Sequence, residues 1–307
     1  MNRVPRIATL LPSATEIVCA LGFEDRLVGR SHECDFPRSV ARVPALTEAK
    51  FNPEGSSAEI DERVKKIVGE ALSVYRVDAA RLRELRPDVI VTQSQCEVCA
   101  VSAREVEAAV AEWLGARPTI VSLAPYSLDD IFTDMQRVAD ALDAGARGTE
   151  LVERLRARLF RIADKARGAS ERPRIATIEW IEPLMAAGNW MPTLVEMAGG
   201  ENLFGIAGEH SPWMKFDELA AKDPDAILIS PCGFSMDRAA QDLPALTNRA
   251  EWQGLKAVRE RRVFMADGNQ YFNRPGPRIA ESLEILAEIA HPELFHFGHE
   301  GSGWRRL

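Results

Sequence analysis

The sequence predicts an α/β protein made of two lobes with parallel sheets, joined by one long helix. Short apolar strands alternate with amphipathic helices along the chain, which is typical of parallel sheets. The segments Pro5–Leu10 and Pro173–Ile178 open two halves with closely similar residues. Between the halves, 147–167 has the apolar spacing of one continuous helix. These three observations define the predicted fold class.

In the first half, an apolar strand over 7–11 runs into a helix that stops at Gly22. Ser13 and Glu16 have the spacing of a capping box at the start of this helix. Further strands are predicted over 27–29, 89–92 and 119–123, and further helices over 61–72, 104–114 and 128–142. The rest of 38–76 gives no clear pattern, so the helix over 61–72 is predicted to be an insertion.

The predicted linking helix starts near Thr149, which can serve as its N-cap, and stops at Gly168. Its apolar residues recur at helical spacing: Leu151, Leu155, Leu159 and Ile162. At 1.5 Å per residue this helix is roughly 30 Å long. The predicted organisation is therefore an N-terminal lobe over 1–146, a linking helix over 147–168 and a C-terminal lobe with a tail over 169–307.

The second half repeats the order of the first. Leu82–Pro87 and Leu219–Pro224 have the same leucine-to-proline spacing, and each is followed by an apolar strand, which indicates an internal duplication. Strands are predicted over 175–179, 226–230 and 263–266, with a final helix over 277–289. Thr193 and Glu196 repeat the capping-box spacing. The tail beyond this helix has no predicted role.

Composition excludes several classes of function. The formal charge of −8 over 307 residues argues against non-specific binding to nucleic acid. The chain contains no apolar run of the roughly 20 residues that a membrane-spanning helix needs. No apolar secretion signal precedes the first strand, so a cytoplasmic location is expected, or a periplasmic one if the N-terminus has been trimmed. Five cysteines, an odd count, favour reduced thiols.

Ligands of parallel sheets bind beyond the carboxyl ends of the strands, and two lobes would leave a cleft between them. This rule selects the polar residues and cysteines after the strands of the first half: Ser31, His32, Cys34, Gln93, Gln95, Cys96 and Cys99. In the second half it selects Trp180, Cys232 and the loop 267–277, and two tryptophans in neighbouring loops, Trp190 and Trp213, are candidate apolar walls.

Each candidate also has a purely structural interpretation. A single cysteine is commonly a small buried apolar residue, and Cys19 inside a helix fits only that description. Cys96 and Cys99 have metal or redox spacing but no partner pair. His32 can be a hydrogen-bonded histidine instead of a ligand, and tryptophans usually belong to the core. No phosphate loop, nucleophile elbow or zinc-protease motif is present.

Four segments carry a family resemblance: Ile7–Glu16, Leu85–Ile90, Glu196–Asn202 and Arg274–Arg278. Together they resemble substrate-binding proteins of ABC transporters in the cobalamin and iron-siderophore class, and among these most closely the vitamin B12-binding members. The resemblance implies two Rossmann-like lobes bridged by a backbone helix. It also implies that aromatic and polar residues hold a corrinoid in the cleft, at the matching positions Ser31, His32, Gln95, Trp180, Trp190, Trp213, Asn269, Tyr271 and Arg274.

Two departures from the family pattern matter for partners and location. Members of the family are exported, whereas this sequence shows neither a signal nor a lipid-anchor cysteine. The family docks on its permease through one acidic residue on each lobe. The matching positions here are Ala80 and Asp217, so one charge is missing and an ABC permease is a weakened expectation.

Three functions remain open from the sequence. The leading one is a non-enzymatic binding protein for cobalamin or a related corrinoid or metal complex. The alternative is a cytoplasmic metal or iron–sulfur binding protein that uses Cys34, Cys96, Cys99 and Cys232, with or without His32, since thiolate and imidazole suit soft and borderline metals. An enzyme acting on a bound cofactor is the third, but the sequence contains no acid–base pair or nucleophile arrangement that favours it.

Overall fold

The computed structural model describes residues 5–69, 74–94, 106 and 118–307. The chain divides into two compact units. The first comprises 1–55, 62–125 and 129–154, and the second comprises 56–61, 126–128 and 155–307. Each unit contains its own predominantly parallel sheet, so the predicted two-lobe α/β fold is confirmed. Of the predicted helix over 104–114, only residue 106 is among the described residues.

The first unit contains a four-stranded parallel sheet. Its strands are β1 (Ile7–Thr9), β2 (Leu27–Gly29), β5 (Val89–Gln93) and β6 (Thr119–Leu123), in the order β2-β1-β5-β6. All five residues of β5 are buried, as expected for a central strand of a parallel sheet. A separate antiparallel pair consists of β3 (Thr47–Ala49) and β4 (Tyr75–Val77).

In the described ranges, the α-helices before the linking helix are α1 (Pro12–Ala20), α2 (Ser57–Gly69), α3 (Ala79–Leu85) and α4 (Leu128–Ala141). In α4 the buried residues recur at helical spacing, at Ile131, Met135 and Val138 among others. Against the first sheet, a cluster of buried apolar residues includes Leu10, Leu46, Leu82 and Ile90.

The long helix α5 (Gly145–Ala166) is present, with its predicted apolar face buried at Leu151, Leu155, Leu159 and Ile162. The helix belongs partly to each unit, because the division falls between residues 154 and 155. It contains no proline. None of the helices in the described part of the chain is long and apolar enough to cross a membrane.

The second unit contains a six-stranded sheet. Its strands are β7 (Arg174–Trp180), β8 (Met185–Ala186), β9 (Glu201–Asn202), β10 (Ala226–Ile229), β11 (Val263–Ala266) and β12 (Trp304–Arg306). Their order is β12-β11-β10-β7-β8, with β9 paired to β7. The tail therefore supplies an edge strand, since β12 pairs antiparallel with β11. The helices are α6 (Met191–Met197), α7 (Phe216–Lys222), α8 (Met236–Asp242), α9 (Pro244–Thr247), α10 (Lys256–Arg259) and α11 (Ile279–Ala290).

The helix caps predicted from the sequence are wrong. Helix α1 has Leu11 as its N-cap without a side-chain hydrogen bond, and Ser13 Oγ has no partner among the described residues. Helix α6 likewise begins after Trp190, while Glu196 accepts the backbone N–H of Asn202 at 3.1 Å. Helix α5 begins before Thr149, so this residue lies inside its first turns. Helices α1 and α6 instead have a proline within their first two residues, Pro12 and Pro192, where the fixed φ of proline favours the start of a helix.

Candidate functional site

The predicted site residues separate into three sets. Ser31, His32 and Cys34 belong to the first unit. The second unit contains Trp180, Trp190, Trp213, Cys232, Asn269, Tyr271 and Arg274. Gln95, Cys96 and Cys99 lie outside the described residues.

In the first unit, His32 follows β2 and is held by Thr47 of β3. Nδ1 of His32 lies 2.7 Å from Thr47 Oγ1, and the backbone N–H of His32 donates to the same oxygen at 3.1 Å. Ser31 Oγ lies 2.9 Å from Thr47 Oγ1, and both of these hydroxyl residues are buried. His32 itself is exposed. Two buried hydroxyls therefore orient an accessible imidazole.

The backbone explains why Thr47 reaches His32. The end of β2 continues into an isolated parallel bridge between Arg30 and Ala45, in which Leu46 N–H donates to Arg30 O at 2.7 Å. Because of this pairing, the first residue of β3, Thr47, lies beside Ser31 and His32, which follow β2. Strand β3 then pairs with β4, so that Ala49 lies opposite Tyr75.

Tyr75 supports the other side of the imidazole. Its ring centroid lies 5.3 Å from that of His32, with the planes tilted by 57°. The Tyr75 hydroxyl donates to Glu33 Oε1 at 2.8 Å, which keeps the phenol in place. Partial burial of the ring lowers the pKa of His32 below its ordinary value; Glu33 opposes this effect and Arg30 adds to it. The ring is consequently neutral at pH 7.

The structure describes three of the five cysteines: Cys19, Cys34 and Cys232. Cys34 is buried at 3% exposure, with its Sγ 2.9 Å from Thr15 Oγ1. Burial raises the pKa of Cys19 to about 12, so this thiol stays protonated. Cys232 is partly buried after β10. Within the described ranges, no group of three or more histidine, cysteine or acidic residues is placed to hold a metal ion.

In the second unit, an apolar row lies at the carboxyl end of β7. Trp180 is paired with Met185 across the β7–β8 ladder, and Met185 forms an antiparallel bridge with Trp213. Residues directly opposite one another in a ladder share a face of the sheet, so the three side chains form one row. Trp213 is 54% exposed, and Phe234 packs on Trp180 with ring centroids 5.2 Å apart. We call Trp180, Met185 and Trp213 the tryptophan row.

A carboxylate lies next to the tryptophan row. The β7–β8 register shifts between Ile178 and Trp180, which leaves Glu179 as the extra residue of a bulge. Glu179 Oε2 accepts the Ser211 hydroxyl at 2.7 Å, and Ser211 Oγ accepts the backbone N–H of Gly188 at 3.0 Å. The row is therefore bordered by an oriented acceptor.

Trp190 differs from the other two predicted tryptophans. It is 5% exposed, and its indole N–H donates to the carbonyl oxygen of Phe272 at 2.8 Å. The indole thus ties the start of α6 to the loop before α11. Of the three tryptophans, Trp213 exposes its side chain most, and Trp180 is intermediate.

The loop 267–278 contains two buried arginines, each bonded to an amide of the same loop. Arg274 Nη2 donates to Asn269 Oδ1 at 2.9 Å, and Arg278 Nη1 donates to Gln270 Oε1 at 2.6 Å. Arg274 and Arg278 are 7% and 8% exposed. Tyr271 is partly buried, with the Arg278 guanidinium 5.5 Å from its ring centroid. The guanidinium groups stabilise the loop, and the amides and the phenol are the more accessible groups.

Several residues of these arrangements were not predicted from the sequence. Thr47 and Tyr75 lie in the stretch that gave no clear pattern, and their three-residue strands are too short for a periodic signal. Met185 belongs to a two-residue strand that only its pairing reveals. Glu179 had a usable signal, because it is next to last in a buried strand and polar residues at strand ends are site candidates.

Comparison with known proteins places this architecture in a family. A vitamin B12-binding protein of Vibrio vulnificus is 24% identical over 291 residues, covering 93% of this chain and 89% of that protein. An uncharacterized ABC transporter substrate-binding lipoprotein of Bacillus subtilis, YvrC, is 24% identical over 298 residues, covering 94% of this chain and 81% of that protein.

Solved structures of the same fold cover nearly the whole chain. The periplasmic heme-binding protein RhuT of Roseiflexus has a TM-score of 0.70 at 21% identity, covering 94% of this chain and 99% of that one. The periplasmic vitamin B12-binding protein BtuF of Vibrio cholerae has a TM-score of 0.66 at 18% identity, covering 94% and 97%. The family model described as periplasmic binding protein matches residues 7–269, and the chain therefore belongs to this family.

Proposed function

We propose that this protein is a non-enzymatic binding protein for cobalamin or a related corrinoid. The family supports a ligand-binding role, and relatives named vitamin B12-binding proteins align along more than nine-tenths of the chain. The tryptophan row is the observation that carries the proposal beyond the family. A ligand with a broad apolar surface would cover the exposed side chains of this row and remove them from water.

The energetic argument rests on Trp213. A tryptophan buries on the order of 200 Å² when fully covered, and this side chain is 54% exposed. Covering the remainder is worth about 2 to 3 kcal/mol at about 25 cal/mol per Å². The backbone on both sides of Trp213 is held in place, because Met214 N–H donates to Leu184 O and Ala186 N–H donates to Pro212 O. The backbone of the row is thus ordered before any ligand binds, which reduces the entropic cost of binding.

The polar groups favour a ligand rich in amides. A haem carries carboxylates, which are best recognised by accessible guanidinium groups. In the 267–278 loop, Arg274 and Arg278 are buried and each donates to an amide. Amide side chains around a corrin ring require neutral donors and acceptors, together with anionic acceptors such as Glu179. These groups therefore support a corrinoid more than a haem.

Titration of the purified protein with aquacobalamin, cyanocobalamin and haemin, followed by calorimetry and visible absorbance, tests this proposal. We expect both cobalamins to bind more tightly than haemin. Trp213→Ala should weaken corrinoid binding at least tenfold, because about 2 to 3 kcal/mol of apolar burial is lost. Phe160→Ala is the matched control, since Phe160 is 60% exposed on α5 and lies outside the tryptophan row.

Absence of heat and of any absorbance change with the corrinoids at micromolar protein would refute the proposal. Tighter binding of haemin would redirect it to a haem carrier. Equal loss of affinity in Trp213→Ala and Phe160→Ala would remove the tryptophan row from the site.

The proposal includes an ABC permease as the partner, because the relatives include a transporter substrate-binding protein. Asp217 is exposed in the first turn of α7 and provides one acidic docking position, whereas Ala80 in α3 provides none. The nearby Asp78 carboxylate accepts the backbone N–H of Arg81 at 2.9 Å and caps α3. We therefore expect weak docking, and Ala80→Glu should strengthen it in a pull-down with the permease. The expected cytoplasmic location remains part of the proposal and is tested by cell fractionation.

A further inference from the structure

The C-terminal tail runs alongside the loop 267–278. The backbone N–H of Asp267 donates to Gly303 O at 2.9 Å. A Cβ atom at Gly303 would lie 3.3 Å from Cε2 of Tyr271, so the tail passes directly beside the phenol. The imidazole of His299 meets the same ring in a T-shaped arrangement, with ring centroids 6.2 Å apart and planes at 66°. The tail therefore forms one wall of the space that Tyr271 occupies.

The loop itself supplies the other support of Tyr271. The Arg278 guanidinium lies over the phenol, 5.5 Å from its ring centroid, and Nη1 of Arg278 donates to Gln270 Oε1 at 2.6 Å. The backbone N–H of Tyr271 donates to Asp267 O at 3.0 Å. Aromatic and cationic partners each prefer a defined place around a ring. The direction of the Tyr271 side chain thus depends on Arg278 from the loop and on His299 from the tail.

The position of His299 is set by α11. Nε2 of His299 lies 2.8 Å from Glu284 Oε2, and Arg158 of α5 donates to both oxygens of the same carboxylate at 2.7 and 2.8 Å. A carboxylate that is held by two parallel bonds from a guanidinium has a fixed geometry. One turn further along α11, Glu288 accepts the backbone N–H groups of the tail just before His299. Helix α11 therefore determines where the imidazole meets Tyr271.

Protonation changes how firmly this imidazole is held. The titratable and charged groups around it are three carboxylates of α11, an arginine of α5 and the phenol of the loop: Glu281, Glu284, Glu288, Arg158 and Tyr271. The hydrogen bond to Glu284 raises the pKa of His299, partial burial opposes this, and the charges of the three carboxylates add to the increase. An imidazolium donates to a carboxylate more strongly than a neutral imidazole does. We therefore expect His299 to be held less firmly as pH rises from 5 to 8.

From these contacts we infer that His299 is a positioning residue of the ligand site, which holds Tyr271 and the loop 267–278 in the arrangement that binds the corrinoid. The inference rests on the proposed function. His299 acts through Tyr271 and needs no contact with the ligand. A ligand binds only the fraction of molecules in which the loop is correctly placed, so the apparent Kd rises as that fraction falls. The affinity of the site therefore depends on a residue of the tail.

The pH dependence of cyanocobalamin binding tests the inference in the wild-type chain. Calorimetric titration should give a Kd that rises roughly three- to tenfold between pH 5 and 8, because the fraction of correctly placed loop falls. His299→Gln should bind weakly throughout, with a nearly constant Kd. His296→Gln, which changes an exposed histidine of the same tail, is the matched control and should follow the wild type. Urea unfolding at each pH shows whether each variant is folded.

A double-mutant cycle tests whether His299 acts through Tyr271. Tyr271→Ala removes the ring, so the addition of His299→Gln should reduce the affinity by less than about twofold more. Tyr271→Phe retains the ring and should retain the pH dependence. A residue that only stabilised the fold would instead give additive losses of affinity.

Three results would overturn the inference while the proposed function stands: a wild-type Kd that does not change between pH 5 and 8, a pH dependence that persists in His299→Gln, or additive losses in the cycle. Absence of corrinoid binding by the wild type at every pH would instead refute both. The first of these results needs only the wild-type chain, so it decides the question even if a variant folds poorly.

Discussion

Glu288 and Trp304 are joined by a buried hydrogen bond that anchors the C-terminal tail. The indole N–H of Trp304 donates to Glu288 Oε2 at 2.7 Å, and the carboxylate is 5% exposed. The other oxygen, Oε1, accepts the backbone N–H groups of Phe297 and Gly298. One side chain of α11 thus accepts hydrogen bonds from both a loop and the edge strand β12.

Glu288→Ala should destabilise the second unit by roughly 2 to 4 kcal/mol. The substitution leaves the buried indole N–H of Trp304 and two partly buried backbone N–H groups without their acceptor, and an unsatisfied buried donor costs about 1 to 3 kcal/mol. Urea unfolding and amide hydrogen exchange of 297–306 measure the effect. Glu300→Ala, which removes an exposed carboxylate of the same tail, is the control. Equal exchange in the two variants would contradict the anchoring role of Glu288.

His299 should make the attachment of the tail depend on pH. Its hydrogen bond to Glu284 at 2.8 Å raises the pKa of His299, although burial opposes this. Burial works to raise the pKa of Glu284, but the hydrogen bonds from His299 and Arg158 outweigh it and lower that pKa. A histidine with a raised pKa stabilises the fold fully below its ordinary value of about 6.5, and this contribution is lost as pH rises through the folded-state value. Glu284 also stabilises the fold, but its contribution is lost as pH falls through its lowered pKa.

The measurement is the urea midpoint of the wild type and of His299→Gln between pH 5 and 8. We expect the difference between them to be greatest near pH 5 to 6 and to shrink toward pH 8. His296→Gln, in which an exposed histidine of the same tail is changed, should follow the wild type. A difference that grows with pH would show that His299 does not stabilise the tail as a cation.

The sequence was sufficient for features that depend on local apolar pattern. The strands over 27–29, 119–123 and 263–266 have the predicted bounds. Each is a short apolar run, and the run over 263–266 is buried throughout, as is typical of a strand in a parallel sheet. The linking helix was predictable from the spacing of four apolar residues, all of which are buried. These patterns can be detected in a single sequence because each lies within one strand or one helix.

Features that depend on long-range pairing were not predictable. The support of His32 by Thr47 requires the bridge between Arg30 and Ala45, and nothing within three-residue strands indicates such a register. Ser13 was expected to cap α1, yet the extended conformation of Leu11 starts the helix earlier and places Ser13 inside the first turn. Pro12 follows Leu11 at the first helical position, and the spacing of Ser13 and Glu16 does not show that the helix starts before Ser13.

Asp134 should make the first unit less stable as pH rises from acidic to neutral. Burial raises the pKa of Asp134 from 3.8 to about 6, although the Ala124 N–H and Arg137 act to lower it. A carboxyl group with a raised pKa stabilises the fold below its unfolded value, and the contribution, at most about 3 kcal/mol, is lost as pH rises through 6. Asp134→Asn should therefore flatten the dependence of the free energy of unfolding on pH between 4 and 7. Asp143→Asn, at an exposed site, should retain the wild-type slope, and an equally steep slope in Asp134→Asn would contradict the argument.

Gly268 should be required for the close approach of the 267–278 loop to the segment after β10. A Cβ atom at this position would lie 2.1 Å from Pro231 O, and the Asn273 amide donates to both Gly268 O and Ser230 O across the same contact. The contact is with a backbone carbonyl, which cannot move away as a flexible side chain can. Gly268→Ala should therefore destabilise the second unit by about 1 to 3 kcal/mol. It should also weaken corrinoid binding, because the loop is displaced. Gly254→Ala is the matched control, since its Cβ would meet nothing within 4 Å. Urea unfolding followed by tryptophan fluorescence measures the difference, and coincident midpoints for the two variants would show that the contact tolerates a side chain.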